Sequence, residues 1–536
     1  MWPWRDWVID AFHRNLPYDE FVTWQLAGDL LEVPTQEQRL ATAFHRNHPM
    51  MSEAGSIEEE FRLQNVFDRV ETTATAFLGL TMNCARCHAH KFDPISQSDY
   101  YRFSAFFNNV QELGMIGNDG NFGPTLPYPN AETTSQLHSL DQRMETLSTE
   151  LQRNRQLAQK QFKLVANKYM RQQRLGESSS SLHQQVSISS FQSQAFPFDV
   201  LQAVQTEAGK QEPLLDGNPE VVFKDALTFI PGVNGQAVEI DGEHGFLTLK
   251  EVGKYDVADV FSIALWVRPQ LRKDEIVTRT LLGTTGNKNQ YWRGWDLFLD
   301  QKNRLSARLV HNLPDNLLHI RSTRLIADQQ WTHVVVTYDG AVTADMDRSL
   351  RLFINGQACL METVHNGLTR TILEEKARDV RVGRSYRSAT GEFGIYHGAL
   401  DDLRFYQSAL TAVEVAQLYQ SYSIAVITSL QPAAVKLTMT DWFEHWLQRE
   451  HDDWQTNLAD YRQLYKERIE RFSQVPLVMV MREMTPSRDT YCLERGVYDQ
   501  RRQKVQLGMP TVVMPFSIDL PTNRLGLSQW LFDPAN

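Results

Sequence analysis

Cys84 and Cys87 stand three residues apart, and His88 follows the second directly, in the run Cys84-Ala85-Arg86-Cys87-His88-Ala89-His90. Two thiols at that spacing can each form a thioether to one of the two vinyl groups of a single porphyrin. The next residue then lies under the iron with an imidazole to offer. This is the C-x-x-C-H signature of covalent c-type haem attachment. It uses two of the chain's four cysteines. The other two, Cys359 and Cys492, are too far apart in sequence to suggest a disulfide framework and read as small buried hydrophobes. Other readings of the motif stand beside haem. His90 brings a fourth ligand for zinc, although tetrahedral zinc usually draws on two separated half-sites. A thiol redox pair would want a strand before the motif, where this chain has a helical pattern. Inert structural thiols complete the set.

A haem iron held by His88 has a second face. His90 is too close in sequence to cross to it. The run Phe44-His45-Arg46-Asn47-His48-Pro49-Met50-Met51 is the better source, with His48 the first choice and His45 the second. The alternative is that these histidines cap a helix or pair with an acid. A His or Met ligand there would favour electron transfer, and an open face would favour peroxide or small-ligand chemistry. Glu58, Glu59 and Glu60 read as the acidic first turn of a helix, favoured by its dipole, rather than as metal ligands. A hydrolase has little support, since the chain has neither a G-x-S-x-G elbow nor H-E-x-x-H.

The elements that must position the motif are helical. Ser56 and Glu59 read as a capping box, N-cap hydroxyl plus returning carboxylate. Leu63, Phe67, Val70, Ala74 and Phe77 then step by four and three along one face. Gly79 offers a stop just before the cysteines. Residues 1–112 read as a mostly helical domain throughout. Residues 131–175 form a charged, coiled-coil-like helix with a heptad seam at Leu137, Leu140, Met144, Leu147 and Leu151. The run Ser178–Ser181 reads as a flexible linker. A second such helix spans 438–474. The two can pair antiparallel, which would make everything between them an insertion carried on a helical stalk.

Within that insertion, residues 190–424 change to strand patterns. Phe261, Ile263, Leu265 and Val267 alternate with Ser262, Ala264 and Trp266, and Thr332–Tyr338 is a β-branched run. Asn355-Gly356 is a hairpin turn signal. Many short strands without intervening helices predict an all-β sandwich. The fold class is therefore multidomain, with helical, stalk and all-β parts and a last segment, 476–536. A chain of 536 residues is too long for one core. Its net charge of −11 and the lack of a long basic run argue against nucleic-acid binding. No apolar run approaches the ~20 residues that a membrane span needs.

The segment Phe77–Asn109, with Leu26-Ala27-Gly28-Asp29-Leu30 and Asp68-Arg69-Val70-Glu71, resembles the planctomycete-type cytochrome c domain over residues 4–112. That family has similar residues around His48. The segment Pro486–Gly496 resembles the start of the planctomycete-specific domain that usually follows. The pieces Phe261–Pro269, Trp331–Gly340, Leu352–Gly356 and Gly398–Tyr406 resemble a laminin G-like (concanavalin A-like) jelly roll. The resemblance implies a module that binds glycans or proteins. Related sandwiches often hold a structural Ca²⁺, for which Asp241 and Asp402 are candidates beside the reading as turn-capping aspartates. Trp292 and Trp295 are candidates for stacking a sugar, or else pack under a loop. Trp266 and Trp331 read as core.

Two functions follow as expectations. The first is an exported, modular haem c protein of electron transfer or oxidative metabolism, with an unidentified redox partner and a sandwich that localises it on a polysaccharide or protein. The second is a non-enzymatic surface adhesion or scaffold protein whose motif binds another metal or forms a disulfide. Resemblance implies a periplasmic or cell-surface place. The chain shows no signal peptide, and the expectation is that it is a fragment.

Overall fold

The computed structural model describes residues 2–53, 56–115, 123–175, 193–196, 221–224, 227–271, 277–286, 292–340, 349–374, 377–390, 394–422, 435–510 and 512–536. The expected linker at Ser178–Ser181 lies outside them.

The N-terminal region is helical, with helices Trp2–His13, Tyr18–Ala27, Gln36–Ala41, Glu58–Thr73 and Gln97–Ser104. The expected face of Glu58–Thr73 is the buried one: Phe67, Val70 and Ala74 are in the core, and Leu63 and Phe77 pack partly against neighbouring clusters. Gly79 ends the run in the left-handed conformation, at φ 65°. The expected capping box does not form. Ile57 is the N-cap, without a side-chain bond. The Glu59 carboxylate turns instead to Arg62, at 2.7 and 2.9 Å, a stronger charge-assisted partner than a backbone amide.

Residues 477–536 do not stand apart. Met481, Cys492, Leu493, Met509, Leu527 and Trp530 share one core with Phe67, Tyr100, Phe103, Phe106 and Phe107. The Arg524 side chain is fully buried and forks onto Asp29 at 2.7 and 2.8 Å, and also donates to the Leu26 carbonyl. Strand Thr125–Pro127 pairs antiparallel with Leu477–Met479 at the place where the chain leaves this body and returns to it.

Between those strands runs the stalk. Helix Ala131–Leu175 packs along Asp452–Ser473. Arg471 reaches Gln136, Arg468 reaches Asp141 and Arg155 reaches Glu444. The falling partner numbers make the pair antiparallel. The second stalk segment is two helices, Met439–Glu450 and Asp452–Ser473, where the spacing predicts one. His451 breaks it by leaving helical geometry, at ψ 95°, and its side chain caps the Trp454 amide. The seam is not a free coiled coil. Leu140, Met144 and Leu151 join Tyr461, Tyr465 and Ile469 in the same core as the sandwich.

The sandwich has two eight-stranded sheets whose neighbouring strands pair antiparallel. The first runs Met361–Asn366, Asn316–Leu325, Arg304–Asn312, Gly294–Leu299, Arg279–Gly283, Val380–Val382, Phe246–Leu249, Val221–Lys224. The second runs Gln357–Ala358, Leu350–Ile354, Thr332–Tyr338, Phe261–Pro269, His397–Tyr406, Gln236–Asp241, Thr228–Pro231, with Ser193–Phe196 also on His397–Tyr406. Strand Phe261–Pro269 is buried on both faces. Ile263, Leu265 and Val267 enter the inter-sheet core. Ala264 and Trp266 are covered from outside by helix Ala412–Gln420, with Trp266 5.7 Å from the Tyr419 ring. Asn355 and Gly356 take φ 51° and 75°, which closes the expected hairpin.

Candidate functional site

The motif occupies one helical turn. Residues Asn83–Arg86 form a 3₁₀ turn, and the amides of Cys87 and His88 both point back to the Cys84 carbonyl, at 3.3 and 3.4 Å. Ala85 and Met82 anchor the turn in the core. Gln97 braces it: its Nε2 donates to the carbonyls of Arg86, Cys87 and Leu493 at 3.1, 3.1 and 2.9 Å. Tyr101 Oη donates to the Arg86 carbonyl at 3.0 Å. The Arg86 guanidinium lies 4.2 Å from the Phe67 ring centre and donates to Gln64.

The outward side of this turn carries the chemistry. Cys84 and Cys87 are free and exposed, and His88 is exposed. Cys87 Sγ donates to the Arg495 carbonyl at 3.2 Å. Gly496, at φ 74°, lies so close that a Cβ there would stand 3.3 Å from Cys87 Sγ and 3.0 Å from the Arg86 side chain. His88 Nδ1 lies 2.7 Å from the Ala89 carbonyl. That contact leaves Nε2 as the nitrogen free for an iron. His90 is drawn away, its Nδ1 accepting from the Asp93 amide at 2.9 Å. Two reachable thiols and a tautomer-fixed imidazole fit the tether and proximal ligand of a covalent haem.

The expected distal ligands do not fit. His48 spends both ring nitrogens, Nε2 on Arg69 at 2.9 Å and Nδ1 on the Pro49 carbonyl at 3.0 Å. His45 is buried with the rings of Phe44 and Phe107 packed against it, while the motif faces solvent. Burial, then the Arg69 charge, pushes the His48 pKa down to about 4 and holds that of His45 well below its ordinary value. His48 serves a buried charge network, to which His45 adds only its backbone carbonyl, taken by Arg69 at 2.8 Å, while both its ring nitrogens are buried without a partner. The Glu112 carboxylate takes Arg69 at 2.5 and 2.7 Å and Arg46 at 3.0 Å. Burial alone would raise its pKa, but the Arg69 and Arg46 charges bring it down to about 2. No spacing rule links Glu112 to residues 43 and 66 positions away, so sequence reasoning missed it.

A cleft of about 290 Å³ opens beside the motif's turn, lined in part by His48, Met50, Met51, Asp68, Glu71 and Arg86. Burial raises the pKa values of Asp68 and Glu71. Pro49, Phe61 and Phe67 also line the cleft, whose walls are about evenly polar and apolar.

In the sandwich, the calcium candidates act as backbone and arginine partners. Asp241 Oδ1 takes the amides of Glu243, His244 and Gly245, a turn cap. Asp402 is buried, and its two oxygens hold Arg404 and the Tyr422 hydroxyl. Trp292 and Trp295 are each 3% exposed and cannot stack a sugar. Trp292 packs on Val310, Leu313 and Leu317. Trp295 donates to the Gly253 carbonyl inside the core. Trp266 is core as expected, whereas Trp331 is only half-buried and lies under the Arg268 guanidinium, 5.2 Å away. Near it, Glu239, Arg268, Gln270 and Gln329 surround a cleft of about 260 Å³ at one end of the second sheet. Among the described residues, no group of three or more His, Cys, Asp or Glu is placed to hold a metal ion. None of the described helices is long and apolar enough to cross a membrane.

Residues 1–112 match the family PSCyt2, described as a protein of unknown function (DUF1549). Residues 241–416 match Laminin_G_3, described as the concanavalin A-like lectin/glucanases superfamily. No curated protein matches the chain. Similar solved structures include the binding domain of Paraclostridial Mosquitocidal Protein 1, at 20% identity and TM-score 0.30, covering 40% of this chain and 51% of that one. Domain 4 of AbnA, a GH43 extracellular arabinanase from Geobacillus stearothermophilus, in complex with arabinotriose, matches at 18% identity and TM-score 0.27, over 42% of this chain and 97% of that one. The botulinum neurotoxin serotype G binding domain matches at 18% identity and TM-score 0.28, over 38% and 46%. The chain thus spans about half the length of the first of these. It joins a helical N-terminal region of the DUF1549 type to a concanavalin A-like lectin/glucanase-type β-sandwich.

Proposed function

We propose that this protein is an extracytoplasmic, modular c-type haem protein of electron transfer or oxidative metabolism, positioned on a glycan or protein by its sandwich. One observation carries the reading: two free, solvent-facing thiols on a single braced helical turn, followed by an imidazole whose Nδ1 is tied to a carbonyl. Cys84 and Cys87 would tether the group and His88 would ligate it. Bound there, haem would supply one-electron or small-oxidant chemistry. The chain's own part is to hold the turn rigid through Gln97 and Tyr101. His48 is held by Arg69 and His45 is walled in by Phe44 and Phe107, so this reading expects no ligand role for either histidine. The polar cleft of Glu239, Arg268, Gln270 and Gln329 is the proposed glycan contact, with hydroxyl-binding groups beside a half-exposed indole.

The test is expression of the chain behind an export signal together with a haem-maturation system. The expected result is a haem-staining band on a denaturing gel, and the mass of one haem on the peptide containing Cys84 and Cys87. Combined Cys84→Ala and Cys87→Ala should abolish both. A mature peptide without the added macrocycle refutes the proposal.

A second reading is favoured by the cleft beside the motif, where Asp68, Glu71 and Arg86 interrupt the apolar lining of Met50, Met51, Phe61 and Phe67. It is an adhesion or scaffold protein in which the cysteines bind another metal or form a disulfide. Elemental analysis separates the two, iron against zinc or neither.

A further inference from the structure

A cavity of about 140 Å³ lies where the stalk meets the sandwich. Its floor is the end of strand Thr332–Tyr338, and its walls come from the helices Ala131–Leu175, Met439–Glu450 and Asp452–Ser473. The first turn of helix Ala412–Gln420 also borders it, through Thr411 and Ala412.

Its charges are unequally satisfied. Glu444 is bound by Arg155. Asp441 is spent on the N-cap of its own helix, accepting from the Thr438 amide and hydroxyl at 2.7 Å each. Asp339 and Arg351 have partners of their own. Arg462 is different. Its Nε donates to the Asp339 carbonyl at 2.8 Å, and among the described residues no carboxylate forms an ion pair with its guanidinium. Burial lowers its pKa and the nearby Asp339 charge offsets only part of that, so an anion at the guanidinium would reduce the remaining cost. Trp454 lines the same cavity, and its indole Nε1 is buried without a hydrogen-bond partner. Gln152 and Gln448 add amides with both donors and acceptors.

An open guanidinium edge suits a carboxylate, because its N–H groups can pair with both oxygens. An indole offers a flat apolar face with one donor at its rim, which matches the C–H face and hydroxyls of a pyranose. We infer that the cavity between stalk and sandwich binds one carboxylated sugar ring, with Arg462 on the carboxylate and Trp454 against the ring. The site is separate from the cysteine motif and from the sheet-end cleft, and does not depend on either being functional. Its occupant would touch stalk and sandwich at once.

The test is calorimetric titration of the full chain with glucuronate, glucose and inorganic sulfate. Glucuronate is expected to bind with a Kd of ~0.1–1 mM, and glucose and sulfate each at least ~10-fold more weakly. Arg462→Gln should abolish glucuronate binding. Trp454→Phe, which keeps a ring but loses the donor, should weaken it by ~10-fold. The Phe variant carries the test if the Gln variant does not fold. No heat with glucuronate up to ~10 mM overturns the inference. Equal binding of sulfate overturns the sugar assignment, and unchanged affinity in both variants overturns the location.

Discussion

Glu112 is the residue whose removal should damage the N-terminal body most, through charge rather than volume. It is 2% exposed and is the shared acceptor of Arg69 and Arg46, themselves 0% and 2% exposed. Glu112→Gln keeps the shape but leaves two buried guanidiniums without a counter-charge, which costs about 3–5 kcal/mol. An independent route gives a similar size. The carboxyl's pKa falls from an ordinary 4.5 to about 2 on folding, which corresponds to about 3 kcal/mol of stabilisation at neutral pH. The sign is that of a depressed acid. The stabilisation is complete above about pH 4.5 and is lost as pH falls towards 2. His48, with its pKa down at about 4, loses its contribution at higher pH, between 6.5 and about 4, because the unfolded chain takes up the proton first. The two windows are therefore separable. The assay is hydrogen exchange of the peptides covering Glu58–Thr73 and Gln97–Ser104, measured from pH 7 down to 3 and corrected for intrinsic exchange. The variant should lose about 3 kcal/mol of protection at pH 7 and show less acid dependence below pH 4.5 than the native chain, with the histidine-linked loss retained. A loss under about 1 kcal/mol, or an unchanged slope below pH 4.5, would refute the reasoning.

Three further outcomes follow from named contacts. Gly496→Ala forces a Cβ against Cys87 Sγ and the Arg86 side chain at a positive φ, so it should cost about 1–2 kcal/mol and raise the alkylation rate of Cys87, read by peptide mass spectrometry. Gln97→Ala removes the donor to three carbonyls, so exchange of the 83–88 amides should accelerate by an amount equal to about 1–3 kcal/mol while the sandwich is unaffected. Arg524→Met leaves the half-buried Asp29 without its fork, and should cost about 3–5 kcal/mol and open the last helix, Arg524–Leu531, to limited proteolysis.

Features governed by local period were readable in the residues. The buried stripe Phe67–Val70–Ala74 follows from helical spacing, and the Asn355-Gly356 hairpin follows from two positions that tolerate positive φ. The stalk's pairing was readable too, because a heptad seam must be covered by something. The kink at His451 was not, since no proline or glycine marks it. Site residues defined by long-range contact were equally hidden. Trp295 has the same composition around it as an exposed sugar-stacking tryptophan, and only its packing against Tyr255, Phe261 and Phe405 shows that it belongs to the core. Asp402 reads as a loop-end oxygen donor until Arg404 and Tyr422 are seen to hold it. His48 looks like a spare ligand until Arg69 arrives from the next helix.

The largest such effect concerns the ends of the chain. The motif's turn is braced by Leu493 and Arg495, which lie some four hundred residues downstream. That contact needs residues 477–536 to come back to the helices of 1–112, across the whole insertion. An antiparallel helix pair is a physical means of doing so, because it leaves and returns at the same end whatever it carries. Strand Thr125–Pro127, pairing with Leu477–Met479, closes the base of that pair. The sandwich touches that base through Asp315, which takes the Thr125 amide at 3.0 Å and lies 3.5 Å from Arg482, while the cavity at Arg462 and Trp454 lies where stalk and sandwich touch. Hence a change on the face of the sandwich away from Asp315 and Arg370 should leave Cys87 reactivity as it is, whereas a break in the pairing of Ala131–Leu175 with Asp452–Ser473 should raise it. If sandwich substitutions such as Trp266→Ala altered Cys87 alkylation as much as stalk substitutions did, the two bodies would not be insulated in this way.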